Sequence, residues 1–188
     1  RTQASQGVAL PLKAKALALQ AGRSAPAVLV TADLLGVTAR GTTQVAKEVQ
    51  KRHRIQRADL LFNASHTHCG PVVDEQLSVA YGLSGEQWAA IQKYSEWLDA
   101  TLVRLIDDAI AKLRPAHVEY GRGEATFAAN RRVKFTPEGP VDHSVPVLQV
   151  KTESGGRLAV VFGYACHNTT LGDSFVQYHG DYAGVAQA

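Results

Sequence analysis

Three short apolar runs in this chain each end in a chemically reactive side chain, and that repeated ending constrains the fold more than any other feature. Ala27-Val28-Leu29-Val30-Thr31 leads into Ala32-Asp33, Leu60-Leu61-Phe62-Asn63-Ala64 into His66 and His68, and the run from Leu158 to Tyr164 into Cys166-His167. Short apolar, β-branched runs of this length read as buried strands. In open α/β sheets, ligands bind beyond the carboxyl ends of the strands, so the three endings are expected to meet in one crevice. A further polar cluster, His179-Gly180-Asp181-Tyr182-Ala183-Gly184, follows His167 and could return to the same edge.

Helical patterns lie between these runs. Gly41-Thr42-Thr43 reads as a cap, followed by Val45, Ala46 and Val49 at helical spacing, with Glu48 and Arg52 four apart as a supporting pair. The longest element is expected to start at Ser84, where Ser-x-x-Gln87 resembles a capping box, and to run to Arg114 before Pro115. Trp88, Ile91, Leu98, Leu102, Leu105, Ala109 and Leu113 form its apolar stripe, and Trp88 and Trp97 read as packing residues. Strands are expected around His117 to Gly121 and Val145 to Lys151, the latter joined to the Leu158 run by a hairpin turn at Glu153-Ser154-Gly155-Gly156. The segment from Ala125 to His143 has no periodicity and reads as a long loop. The expected fold is α/β, a mixed β-sheet packed with α-helices in a single domain over residues 1–188.

Composition excludes several classes. The chain has 188 residues, 45% of them hydrophobic, enough for one substantial core and unlike a disordered chain. The net charge of +3 includes the run Lys51-Arg52-His53-Arg54, which reads as a solvated helix end because no aromatic residues interleave with it for base stacking. No nucleic-acid partner is expected. No apolar run approaches the ~20 residues of a membrane helix, and no signal-peptide pattern opens the chain, which therefore reads as soluble. Without an initiator methionine, and with no clear stop after Val185-Ala186-Gln187-Ala188, it reads as a processed or partial chain. Two cysteines, Cys69 and Cys166, do not make a disulfide framework.

The chemistry concentrates at Ser65-His66-Thr67-His68-Cys69-Gly70-Pro71. In extended backbone His66 and His68 would point the same way, and imidazole is the commonest metal ligand among side chains. Two histidines at a strand end also suit ordinary hydrogen bonding, and two ligands leave a zinc sphere of about four unfilled. A catalytic zinc takes about three protein ligands and keeps a position for water. His66 and His167 are candidate nitrogen donors, and His68 either ligates or carries protons beside the metal. Asp33 and Asp181 are the candidate carboxylates within the chain, although Asp33 also suits a hydrogen bond that caps its turn. A closed structural site using Cys69 and Cys166 lacks the usual Cys-x-x-Cys knuckle. A Cys166 nucleophile with His143 or His179 as base is the non-metal alternative, against the plainer reading of a buried, inert thiol.

Taken together these segments resemble the neutral/alkaline, non-lysosomal ceramidases. Ser-His-Thr-His-Cys-Gly-Pro is similar to their Thr-His-Thr-His-Ser-Gly-Pro segment, Ala129-Asn130-Arg131-Arg132 to their Asn-Arg segment, and Ala165-Cys166-His167 to their second histidine motif. Gly180-Asp181-Tyr182-Ala183-Gly184 resembles the Asp-x-x-Gly segment that follows, and Val30-Thr31-Ala32-Asp33 a strand before the first motif. The resemblance implies the N-terminal part of a catalytic domain for zinc-dependent hydrolysis of N-acyl-sphingosine (ceramide) to fatty acid and sphingoid base by metal-activated water. By motif position it implies zinc on His66 and His167, a catalytic role beside it for His68, and substrate-head contacts from Arg131 and Asn130. It also implies a lipid-like amide as partner, peripheral membrane contact, and a secreted or periplasmic location. The family's glutamate and tyrosine ligands and its Gly-Asp-x-Ser segment have no counterpart here, nor does its opening Asp-Ile-Thr-Pro-Pro-like segment. The chain is thus expected to hold half of a zinc site, with the other ligands in a downstream segment. The turn at Thr136-Pro137-Glu138-Gly139-Pro140 is shorter than the family pattern. The competing readings are a non-catalytic metal- or carbohydrate-binding domain and a zinc hydrolase of a different amide or ester.

Overall fold

Two compact units make up the chain in the computed structural model, which describes residues 3–188. The first comprises the residues up to Leu113 together with Asn168–Ala188, and the second Arg114–His167.

The first unit is built on a three-stranded mixed sheet of β1 (Ala14–Leu19), β2 (Ala27–Ala32) and β3 (Leu60–Ala64), in that order. β1 pairs with β2 antiparallel, while β2 and β3 run parallel with Ala32 opposite Ala64. Parallel neighbours need a crossover, here α1 (Ala39–His53), and their carboxyl ends emerge together. Hence Asp33 and Ser65, which follow the two strands, touch: Ser65 Oγ donates to Asp33 Oδ1 at 3.1 Å.

α1 starts earlier than the sequence suggests. Thr38 is its cap, accepting the Gly41 N–H on Oγ1 at 3.1 Å, so Gly41 lies inside the first turn. A hydroxyl that satisfies one orphan N–H fixes the start of a helix better than a glycine can. The expected Glu48–Arg52 pair also gives way to other partners. Glu48 takes Lys51 at 2.7 Å, and Arg52 reaches Asp107 of the second helix at 2.6 Å.

That helix, α2 (Gly85–Ala111), opens on the expected Ser84/Gln87 capping box. It packs on β1, β2 and α1, burying Ser95, Leu98, Asp99, Leu102, Val103 and Ile106. Trp97 lies one residue, about 100°, off Leu98 around the helix. That rotation carries it out of the buried arc, so it is 56% exposed rather than packed, with its ring 5.5 Å from Tyr94. Between sheet and helices, Val45, Val49, Ile55 and Ile106 are 0% exposed. Each such side chain contributes roughly 1.5–3 kcal/mol of transfer free energy. The unit is closed by the returning residues 168–188, whose Tyr178 bridges Val8 and which end in α3 (Asp181–Ala186).

The second unit is an antiparallel sheet of β4 (Ala116–Glu124), β5 (Ser144–Thr152) and β6 (Arg157–Phe162). The predicted hairpin joins β5 to β6, with Gly155 at φ 87° in its turn. The run ending at Cys166-His167 therefore belongs to a sheet of its own, which corrects the expectation that one open sheet supplies all three reactive endings. Strand pairing is non-local, and a run's apolar character does not say which sheet it joins. Among the described residues no helix is long and apolar enough to cross a membrane.

Candidate metal centre

β3 stops at Ala64, and the chain turns sharply: His66 adopts φ 62°, a left-handed conformation that is costly for a residue with a Cβ. The two histidines therefore do not share a face through strand alternation, as the sequence suggests. The turn brings their rings together edge to face, with centroids 5.1 Å apart and planes at 87°. Thr67, between them, holds the turn. It is 0% exposed, its Oγ1 donates to the carbonyl of His179 at 2.7 Å, and the same oxygen accepts the Cys69 N–H at 3.1 Å. The His179 N–H returns a bond to the Cys69 carbonyl at 3.1 Å. Backbone conformations of this kind persist only where neighbours over-determine them, and here the 178–180 segment does so.

The His66 ring is oriented by the main chain. Its Nδ1 lies 2.6 Å from the carbonyl oxygen of Leu35. A carbonyl only accepts, so Nδ1 carries a proton and Nε2 is the ring nitrogen left to ligate a metal. Metal-binding histidines are typically held this way by a carbonyl or carboxylate behind the ring.

His167 closes the second unit at the peptide bond to Asn168. Asn168 is 0% exposed inside the first unit, where its Nδ2 donates to the Gly180 carbonyl at 3.0 Å and its Oδ1 accepts the Ala183 N–H at 3.3 Å. The ring nitrogens of His66, His68 and His167 lie within 4.8 Å of one another. Three ligands of one tetrahedral zinc, with bonds near 2.0–2.1 Å, need nitrogens about 3.3 Å apart, inside the 4.8 Å within which these three lie. Three imidazoles suit zinc and other borderline divalent metals, so the residues fit a metal ion. His66 and His167 are exposed and His68 half-buried.

Neither candidate carboxylate belongs to this group. Asp33, 2% exposed, accepts from the Lys13 N–H at 2.9 Å, Ser65 Oγ at 3.1 Å and Gln187 Nε2 at 2.7 Å. Asp181, 1% exposed, accepts from Thr170 Oγ1, from the Thr170 N–H at 3.1 Å, the Leu171 N–H at 3.0 Å and the Tyr182 N–H at 2.6 Å. Burial pushes its carboxyl up, but these donors outweigh burial and hold it below the usual carboxylate range. Both acids tie loops together. Cys69 is buried, and the Cys166 thiol makes a long 3.8 Å contact to the His167 carbonyl. His179 spends Nδ1 on the Asp181 N–H at 2.9 Å.

Asn130 and Arg131 lie in the loop of the second unit. Asn130 Oδ1 accepts the Arg132 N–H at 2.9 Å, an Asx turn, and Nδ2 reaches the Pro140 carbonyl at 3.4 Å. The Arg131 side chain is exposed.

Two cavities of the first unit had no signal in the sequence. One of about 40 Å³ is walled by His68, Leu35, Val72, Gln76, Leu77 and Tyr81. A wider cleft of about 860 Å³, walled by Arg40, Asp74, Trp88 and Glu96, shares Gln76 with it.

No protein-family profile matches the chain. No curated protein matches it either. Solved structures do. A ceramidase complexed with C2 superposes with a TM-score of 0.83 at 21% identity, covering 98% of this chain and 30% of that one. The neutral ceramidase from Pseudomonas aeruginosa gives 0.79 at 23% identity, covering 96% of this chain and 30% of that one. The chain therefore has the α/β fold of part of a neutral ceramidase and spans about 30% of the length of these solved structures.

Proposed function

We propose that this chain carries the histidine half of a zinc-dependent amidohydrolase centre that cleaves N-acyl-sphingosine (ceramide) to a fatty acid and a sphingoid base. The observation that carries the reading is the approach of the His66, His68 and His167 ring nitrogens to within 4.8 Å, in a chain with a ceramidase fold. His66 and His167 hold the metal, with Leu35 fixing the His66 tautomer. Zinc, when bound, brings the pKa of water towards neutrality and polarises an amide carbonyl.

His68 is the catalytic residue beside it. An imidazole both donates and accepts protons near neutral pH, which suits relaying a proton to the departing amine or donating to charge developing on the carbonyl oxygen. Arg131 and Asn130 form the substrate-head segment: the Asx turn at Asn130 shapes the loop, and the Arg131 guanidinium donates to the polar head. The remaining ligands come from a downstream segment. A lipid-like amide, peripheral contact with a membrane surface and a secreted or periplasmic setting complete the reading, which includes no nucleic-acid partner.

Metal analysis of the full-length protein, together with hydrolysis of a fluorescent acyl-sphingosine, tests it. Zinc and activity should both be present, both be lost in His66→Ala, and activity should disappear on chelation. A full-length protein that takes up no metal sinks the reading.

A further inference from the structure

Gln76 stands on the wall of both cavities beside His68. Its side chain is half-buried, and among the described residues nothing hydrogen-bonds to its carboxamide; only its main-chain N–H is engaged, with the Val73 carbonyl at 3.2 Å. A carboxamide in that position offers both a donor and an acceptor to a ligand in the cavity.

The side chain lies against Gly36. A Cβ on Gly36 would lie 2.4 Å from Gln76 Nε2, 3.5 Å from Cδ and 3.9 Å from Oε1. Without a Cβ there, the carboxamide lies nitrogen first near the main chain, and an added methyl would be met by rotation of this flexible side chain. The nitrogen faces Gly36 and the oxygen is turned away from it. Leu35, the preceding residue, holds the His66 ring through its carbonyl, so one dipeptide lies beside both a proposed metal ligand and this carboxamide.

We propose that Gln76 Oε1 accepts the substrate's amide N–H and sets this centre for amides over esters, an inference that rests on the amidohydrolase reading above. An ester presents an oxygen where the amide has its N–H, leaving two acceptors face to face without a proton between them. Apolar Leu35, Val72 and Leu77 in the same wall supply no donor that would offset this loss. Gln76 is thus a binding and specificity residue.

The test uses the full-length protein and a matched pair of probes, an N-acyl amide and an O-acyl ester of the same acyl chain and leaving-group skeleton. Gln76→Leu should lower the amide-to-ester ratio of kcat/KM by about tenfold, the worth of one hydrogen bond in a partly desolvated site. Gln76→Glu, which keeps an acceptor, should preserve the ratio. Gly36→Ala, which displaces Nε2, should lower it and serves if Gln76→Leu does not fold. A ratio unchanged in Gln76→Leu, or equal losses on both probes, overturns the inference while leaving the amidohydrolase reading intact. If the parent protein cleaves neither probe, that reading fails and calorimetric binding decides. Parent protein binding the amide about tenfold tighter than the ester, with the difference lost in Gln76→Leu, supports the inference; equal binding, or none, overturns it.

Discussion

His66 Nδ1 and the Leu35 carbonyl oxygen are 2.6 Å apart, and that bond decides which nitrogen of the ring can meet a metal. Because the carbonyl cannot donate, Nδ1 carries a proton, and in the neutral ring that makes Nε2 the ligating nitrogen. Nitrogen-15 spectra of metal-free protein should show a pyridine-like Nε2 at His66, and zinc should shift that signal first. His66→Ala should weaken zinc binding by about 100-fold, the upper end of the effect seen when even a supporting group is lost. A spectrum with the proton on Nε2 would contradict the assignment.

Asp181 links the returning segment to itself through Thr170, Leu171 and Tyr182. Asp181→Ala should destabilise the chain by about 2–4 kcal/mol in chemical unfolding, since several donors lose a buried, charged acceptor together. Its folded-state carboxyl lies below the unfolded value, because its donors outweigh burial. Its contribution is therefore complete above the unfolded carboxylate value of about 3.9 and is lost as pH falls through the lower folded value. The variant's stability should differ least from the parent's at the acid end. A stability gap that widens on acidification would refute this.

Local pattern accounts for much of this architecture. Alternation-free apolar runs mark β2 and β3, the Ser84/Gln87 box marks the start of α2, and the glycine turn before Arg157 marks the β5–β6 hairpin. β1 was not legible, because Ala14-Lys15-Ala16-Leu17-Ala18-Leu19 has little strand propensity and becomes a strand by pairing with β2. The histidine motifs were legible as chemistry, yet the turn that carries His66 and His68 is held by Thr67 bonding the His179 carbonyl, and the segment after His167 by Asn168 bonding the Gly180 carbonyl. Such long-range bonds leave no spacing in the sequence. The same is true of Asp181, a candidate ligand by sequence, whereas for Asp33 the hydrogen-bonding role was already one of two readings, and its partners Lys13, Ser65 and Gln187 bear it out.

Arg40 joins two acids on the flank of α2. Its Nη2 lies 2.6 Å from Asp74 Oδ1 and its Nη1 2.9 Å from Asp99 Oδ2, and Thr38 adds a short hydrogen bond to Asp74. Burial raises Asp99 above the usual range, whereas at Asp74 burial is outweighed by the Arg40 and Thr38 donors and the carboxyl is lowered. Arg40→Met leaves two half-desolvated acids facing each other and should cost about 1–3 kcal/mol, discounted because the guanidinium is half exposed. Adding Asp99→Asn should restore part of that loss, giving a double variant more stable than the sum of the singles. Strict additivity in urea unfolding would show that Arg40 and Asp99 are not coupled.

Tyr164 couples β6 to the loop that carries Asn130 and Arg131. Its hydroxyl donates to the Ala125 carbonyl at 2.7 Å and accepts the Ala128 N–H at 2.9 Å, so a single oxygen closes the start of an otherwise irregular segment. Phe127 lies against the same ring, with centroids 4.7 Å apart. Tyr164→Phe keeps that ring contact and removes both hydrogen bonds, so the cost should be local and about 1–2 kcal/mol. Amide exchange should quicken at residues 125–132 and stay unchanged in β5, because the strand ladder does not use the hydroxyl. If Arg131 meets the substrate's polar head, the same variant in the full-length protein should raise KM more than it lowers kcat, since a looser loop weakens ground-state and transition-state binding alike. A fall in kcat with KM unchanged would instead place Arg131 among groups that act only in the transition state.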